Sequence, residues 1–211
     1  MHSLSMYDKG TARAEGARYQ DDIEAGLEGM NALLKPIWNY NKKRRDKKKG
    51  PYKPRMVFLL GNHEERIHRH VNANPSLIGK LSYQDLRLED YGWEVHDFLK
   101  PAQINGVWYA HYFYNPFTGK PYGGKAATRL NNIGFSFTQG HQQGRDEAEK
   151  PLANGKTIRG LIVGSFYQHD EQYKGPQGNN HWRGCIYKTE VEDGNYCLVE
   201  LSLRYLLNNW T

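Results

Sequence analysis

The sequence predicts an α/β fold in which helices are layered over a central sheet. Three observations carry that expectation. Short, continuously apolar runs such as 56–60 and 161–163 have the character of strands buried on both faces. Helical periodicity alternates with such runs early in the chain, whereas strand-like segments dominate late. With 211 residues, 38% of them hydrophobic and 13% aromatic, the chain is too apolar to be disordered and long enough to bury a core. A single domain over 1–211 is expected.

Residues 17–40 are predicted helical, because Ile23, Leu27, Met30, Leu34 and Ile37 recur at spacings of three and four and form one apolar stripe. Pro36 falls near the end, where it would kink or stop the last turn. Lys42, Lys43, Arg44, Arg45, Lys47, Lys48 and Lys49, broken by Asp46, follow it. Without this block the net charge of +6 falls close to neutral. Together with Gly50-Pro51 the block reads as a loop, either a solvated connection or a surface for nucleic acid.

The run 56–60 leads directly into Gly61-Asn62-His63-Glu64 and a helical segment over 65–71. A second helix is predicted over 82–91, with Leu86 on its apolar side. Strands are expected over 93–98 and 107–112, separated by a turn at Asn105-Gly106. A helix over 126–132 precedes a strand over 135–138 that ends at Gly140-His141. The strand 161–163 is followed by a polar loop over 168–184, and 185–207 reads as two strands about a turn at Asp193-Gly194.

No run approaches the roughly 18 apolar residues needed to cross a bilayer. The opening Met1-His2-Ser3-Leu4-Ser5-Met6 lacks the basic flank and apolar stretch of a secretory signal. A soluble, intracellular protein without membrane contact is expected. Cys185 and Cys197 have no CxxC spacing, so two reduced, partly buried thiols are expected.

Three polar clusters share one placement. Asn62-His63, His111 and Gly140-His141 each lie at the end of an apolar strand, where ligand sites of open α/β sheets collect. A lone histidine in such a place is more often structural; three in the same setting point to a site. Leu60-Gly61-Asn62-His63-Glu64, Tyr109-Ala110-His111 and Gln139-Gly140-His141-Gln142-Gln143, in that order, resemble the calcineurin-like metallophosphoesterases, whose fold is a layered α/β/β/α sandwich. Phage-encoded members are the most similar in flavour, which would place the protein in a cytoplasm, that of the host if it is phage-encoded.

The resemblance implies two divalent ions, of manganese, iron, zinc or nickel, at a site for phosphate-ester hydrolysis. Asn62 would give a carbonyl oxygen to the second ion, and His111 and His141 would give it imidazole nitrogens. His63 would stand over the leaving-group oxygen as general acid. Arg66 would contact phosphate or pair with Glu65 or Asp90, and His169 and His181, in the loop 168–184, would touch substrate or pack that loop. Tyr112, Phe113 and Tyr114, beside His111, would pack or stack on bases.

The chain departs from the family at both ends of its pattern. The family's opening Asp-x-His and Gly-Asp-x-x-Asp do not occur, and Asp8, Asp21 and Asp22 sit in a predicted loop and helix. The resemblance therefore implies a domain truncated at its N-terminus. The usual Gly-His-x-His becomes Gly140-His141-Gln142-Gln143, so Gln143 stands in for an imidazole of the first ion. On these residues alone the family's two ions fall to one or none. The expected function is hydrolysis of phosphate mono- or diesters, leaning towards nucleic acid. The rival expectation is a catalytically inactive relative acting as a binding or assembly component.

Overall fold

The computed structural model describes residues 1–6, 8, 10–171 and 174–210. It is mixed α/β, and the chain divides into two compact units, Met1–Phe98 and Leu99–Thr211. No helix among the described residues is long and apolar enough to cross a membrane.

The first unit is built on helix α1 (Tyr19–Asp46) and a parallel pair of short strands, β1 (Val57–Leu59) and β2 (Glu94–His96). The predicted stripe is the less exposed face of α1, with Ile23 and Leu34 fully buried. The helix runs through Pro36 and continues into the basic block, which was expected to be a loop. Lys43, Arg44 and Arg45 form its last turn, where cationic side chains oppose the partial negative charge of the free carbonyls. Leu60 and Ile67, each 1% exposed, complete the core from the end of β1 and from helix α2 (Glu65–Ala73).

The helix expected over 82–91 is a 3-10 turn at Tyr83–Leu86. Asp85 Oδ2 accepts the Ser82 N–H at 2.9 Å and the Tyr19 hydroxyl at 2.7 Å, starting the turn and tying it to α1. Arg87 then enters the left-handed region at φ 53°, which stops propagation.

The second unit holds a five-stranded sheet in the order β3-β4-β5-β7-β6: β3 (Ala102–Ile104), β4 (Val107–Ala110), β5 (Phe137–Gln139), β6 (Arg145–Pro151) and β7 (Thr157–Val163). The central β4, β5 and β7 are parallel, and antiparallel β3 and β6 close the edges. Helix α3 (Ala126–Ile133) packs on β6 and β7. Its Leu130 joins Ala110, Phe113, Phe137 and Ile158 in the core. Gly160 is required there, since a Cβ would stand 2.8 Å from the Phe137 ring.

A hairpin of β8 (Gly184–Glu192) and β9 (Asn195–Ser202) follows a short helix, α4 (Gly175–Asn179), and leads into α5 (Leu203–Trp210). Both predicted turns form. Asn105-Gly106 and Asp193-Gly194 all have positive φ, and Gly194 N–H donates to the Asn105 carbonyl at 3.1 Å. The strand before Asn105, however, is β3; of the strand expected over 93–98, Glu94–His96 forms β2, which pairs with β1. The cysteines are free, as expected, but exposed rather than partly buried. Antiparallel register sets Cys185 opposite Leu201 and Cys197 opposite Thr189, so the two thiols are not partners.

Candidate metal centre

Parallel pairing of β4 with β5 sets Ala110 opposite Gln139 and therefore puts the carboxyl ends of both strands at one edge of the sheet. His111 follows Ala110 directly, and His141 follows Gln139 across Gly140. The structure brings these two predicted residues together: His111 Nε2 and His141 Nδ1 are 3.0 Å apart, with the rings edge-on at 4.9 Å. Tyr112 closes over the pair, 5.7 Å from His111 and 5.0 Å from His141 between ring centres.

Burial, and secondarily the Arg129 guanidinium, hold His141 below the usual imidazole pKa, which favours a lone pair over a second proton. Its backbone lies in the left-handed region at φ 64°, uncommon for a residue with a side chain. A hydrogen bond between two imidazoles needs one N–H and one lone pair, so the pair shares a proton. A cation held by both nitrogens is the alternative occupant of that spot. Two nitrogens bound at right angles to one ion at about 2.1 Å stand about 3 Å apart. The separation of the pair is that of two adjacent positions of one octahedral ion.

The segment around His141 adds unsatisfied polar atoms, two carbonyl oxygens and one amide nitrogen. Gln143 Oε1 and both amide atoms of Gln139, itself 1% exposed, are buried with no hydrogen-bond partner among the described residues. Each such atom costs about 1–3 kcal/mol unless something satisfies it. Among the described residues no group of three or more His, Cys, Asp or Glu could hold an ion. The donors available are neutral imidazoles and amides, a set that holds a dication weakly because no charge opposes it.

In the first unit, Gly61-Asn62-His63-Glu64 forms a turn at the carboxyl end of β1, as predicted. Glu64 Oε2 accepts the Gly61 N–H at 2.8 Å, and Glu65 N–H donates to the Gly61 carbonyl at 3.0 Å, fixing the entry into α2. Asn62 is half-buried and His63 exposed. The Arg66 guanidinium donates to the Met1 carbonyl at 2.7 Å. Neither acidic partner expected for it is an ion-pair partner: Glu65 takes the Tyr83 hydroxyl and His68, and Asp90 takes Arg87.

The loop after β7 is organised by Arg183, which reaches the Gln168 carbonyl at 3.0 Å and Asp170 at 2.7 Å and covers the Tyr167 ring. His169 stacks on Tyr167 at 4.6 Å and pairs with Glu171 at 3.6 Å. His181 Nδ1 meets the Gly178 carbonyl at 3.1 Å, which puts the proton on Nδ1 and leaves Nε2 to accept from Ser165 Oγ at 3.0 Å. Gln172 and Tyr173 of this loop lie outside the described residues. Sequence reasoning passed over Gln139 and Lys188, whose environments are made by residues distant in the chain.

No family model matches this chain, and no curated protein and no solved structure matches it.

Proposed function

We propose that this chain carries a metal-dependent phosphoesterase centre with His111 and His141 as two of its ion-holding groups. The observation that carries the reading is the 3.0 Å approach of the two imidazole nitrogens at the carboxyl ends of adjacent parallel strands. Gln143, with its buried unsatisfied carbonyl oxygen, is the next donor in the same segment. A divalent ion of manganese, iron, zinc or nickel would supply Lewis-acid polarisation of a phosphoryl group.

The remaining roles rest on the sequence resemblance. Asn62 offers a carbonyl oxygen, and His63, exposed on its turn, gives a proton to the leaving-group oxygen. Arg66, His169 and His181 are the substrate-contacting candidates, although each is already held within its own unit. Phosphate mono- or diesters are the substrate class, and the cationic end of α1 favours nucleic acid among them.

The neutral donor set supports a second reading, a non-catalytic binding or assembly component that holds an ion loosely. Manganese-dependent hydrolysis of an aryl phosphate monoester and diester separates the two. The enzyme reading expects turnover that is lost in His111→Ala and His141→Ala. In His63→Ala it expects a fall that is steeper for poor leaving groups, at unchanged metal content. Metal binding without turnover in the wild type would select the second reading.

A further inference from the structure

Alternation along β4 and β5 gives the five-stranded sheet two unlike faces. Ala110 and Phe137 belong to the core with α3. Tyr109 and Thr138, in register with each other, belong to the opposite face, where Lys188 from β8 meets both. A cavity of about 480 Å³ opens there, with Tyr109, Thr138, Val163, Phe166, Cys185 and Lys188 in its lining. Its walls are largely apolar, and the hydroxyls of Tyr109 and Thr138 lie against the lysine.

Lys188 is held by hydroxyls and rings. Nζ donates to Tyr109 Oη at 3.2 Å and to Thr138 Oγ1, and stands 4.6 and 4.2 Å from the ring centres of Tyr109 and Tyr196. No ion pair among the described residues includes it. The titratable groups facing it are the phenols of Tyr109 and Tyr196, from β4 and β9; Cys185, three residues earlier on its own strand, lines the same cavity. Glu147 and Arg159 act on Tyr196. Burial without an opposite charge brings the amine down to about 7. Two aromatic faces offset part of that cost, but a buried ammonium is fully compensated by an anion. Because Nζ donates into the Tyr109 oxygen, the phenol keeps its own proton to give to an acceptor.

We infer that this cavity binds a small organic acid, an apolar body ending in a carboxylate, with Lys188 as its counter-charge and Tyr109 as a second donor to its head. The inference is independent of the histidine pair and holds whether or not the chain hydrolyses phosphate esters.

Calorimetric titration of the full chain with phenylacetate and with its neutral amide, phenylacetamide, tests it. The acid is expected to bind about tenfold or more tightly than the amide. Slightly above neutral pH its binding takes up protons, seen as a dependence of the heat on the buffer, because a carboxylate beside the amine restores its proton. The acid also slows alkylation of Cys185, which lines the cavity, and leaves that of Cys197 unchanged. Lys188→Met, close in volume, is expected to make acid and amide equal. Equal binding of the two in the wild type, a preference that survives in Lys188→Met, or binding that leaves Cys185 unprotected would overturn the assignment. If Lys188→Met does not fold, proton uptake and Cys185 protection in the wild type decide alone, and the absence of either overturns it.

Discussion

His141 occupies left-handed backbone at φ 64°, a conformation that disfavours any residue with a Cβ. Holding an L-residue there costs about 1–2 kcal/mol, less for histidine than for a branched side chain. Strained backbone beside an imidazole pair 3.0 Å apart is the kind of place where functional groups collect, and the proposed ion-holding role accounts for both. His141→Gly is accordingly expected to be as stable as the wild type in urea unfolding, or up to about 1 kcal/mol more stable, while metal affinity falls. Loss of stability on that substitution would mean that the ring is a packing element. Asp22 makes a different residue-scale prediction. Burial pushes its carboxyl up, but the Ser3 hydroxyl and amide, at 2.6 and 2.8 Å, together with the N-terminal ammonium and the His2 amide, bring the pKa below the ordinary value. A depressed folded-state pKa gives stability that is complete above the unfolded value, about pH 4, and is lost as the pH falls through the folded one. Asp22→Asn is expected to flatten that acid limb in pH-dependent urea melts.

At the scale of elements, packing decides where sequence pattern fails. The stripe on α1 and the turns at Asn105-Gly106 and Asp193-Gly194 were legible, because each depends on local periodicity or on residues that tolerate positive φ. Strand β6 was not, because Arg145, Asp146, Glu147, Glu149 and Lys150 give an edge strand the composition of a loop. The helix expected over 82–91 failed at Arg87, whose left-handed backbone has no signature in a run of helix-compatible residues. Of the candidate site, His111 and His141 could be found because each follows an apolar strand; the environments of Gln139 and Lys188 depend on strand order and could not. Two measurements belong to this scale. Gly160→Ala would drive a Cβ to 2.8 Å from the Phe137 ring and 3.2 Å from Leu130, so a loss of about 1–3 kcal/mol is expected in equilibrium unfolding. Replacing Lys43, Arg44 and Arg45 with Glu should lower thermal stability by about 0.3–1 kcal/mol per position at low salt, and less as salt screens the helix end. A basic block that were a loop would show no such dependence.

For the whole molecule, the second unit contains its own sheet, core and histidine pair, all formed within Leu99–Thr211. The charge surplus also has one address, the C-terminal end of α1 and the residues just beyond it. The central claim is that His111 and His141 hold one divalent ion between them. Equilibrium titration of the full chain with manganese, read alongside His111→Ala and His141→Ala, tests that claim most directly. One ion is expected on the wild type, weakened about tenfold or more by either substitution and not weakened further by both together, since losing one nitrogen already opens the pair. Manganese binding that is unchanged in both single variants, or no binding by the wild type, would contradict it.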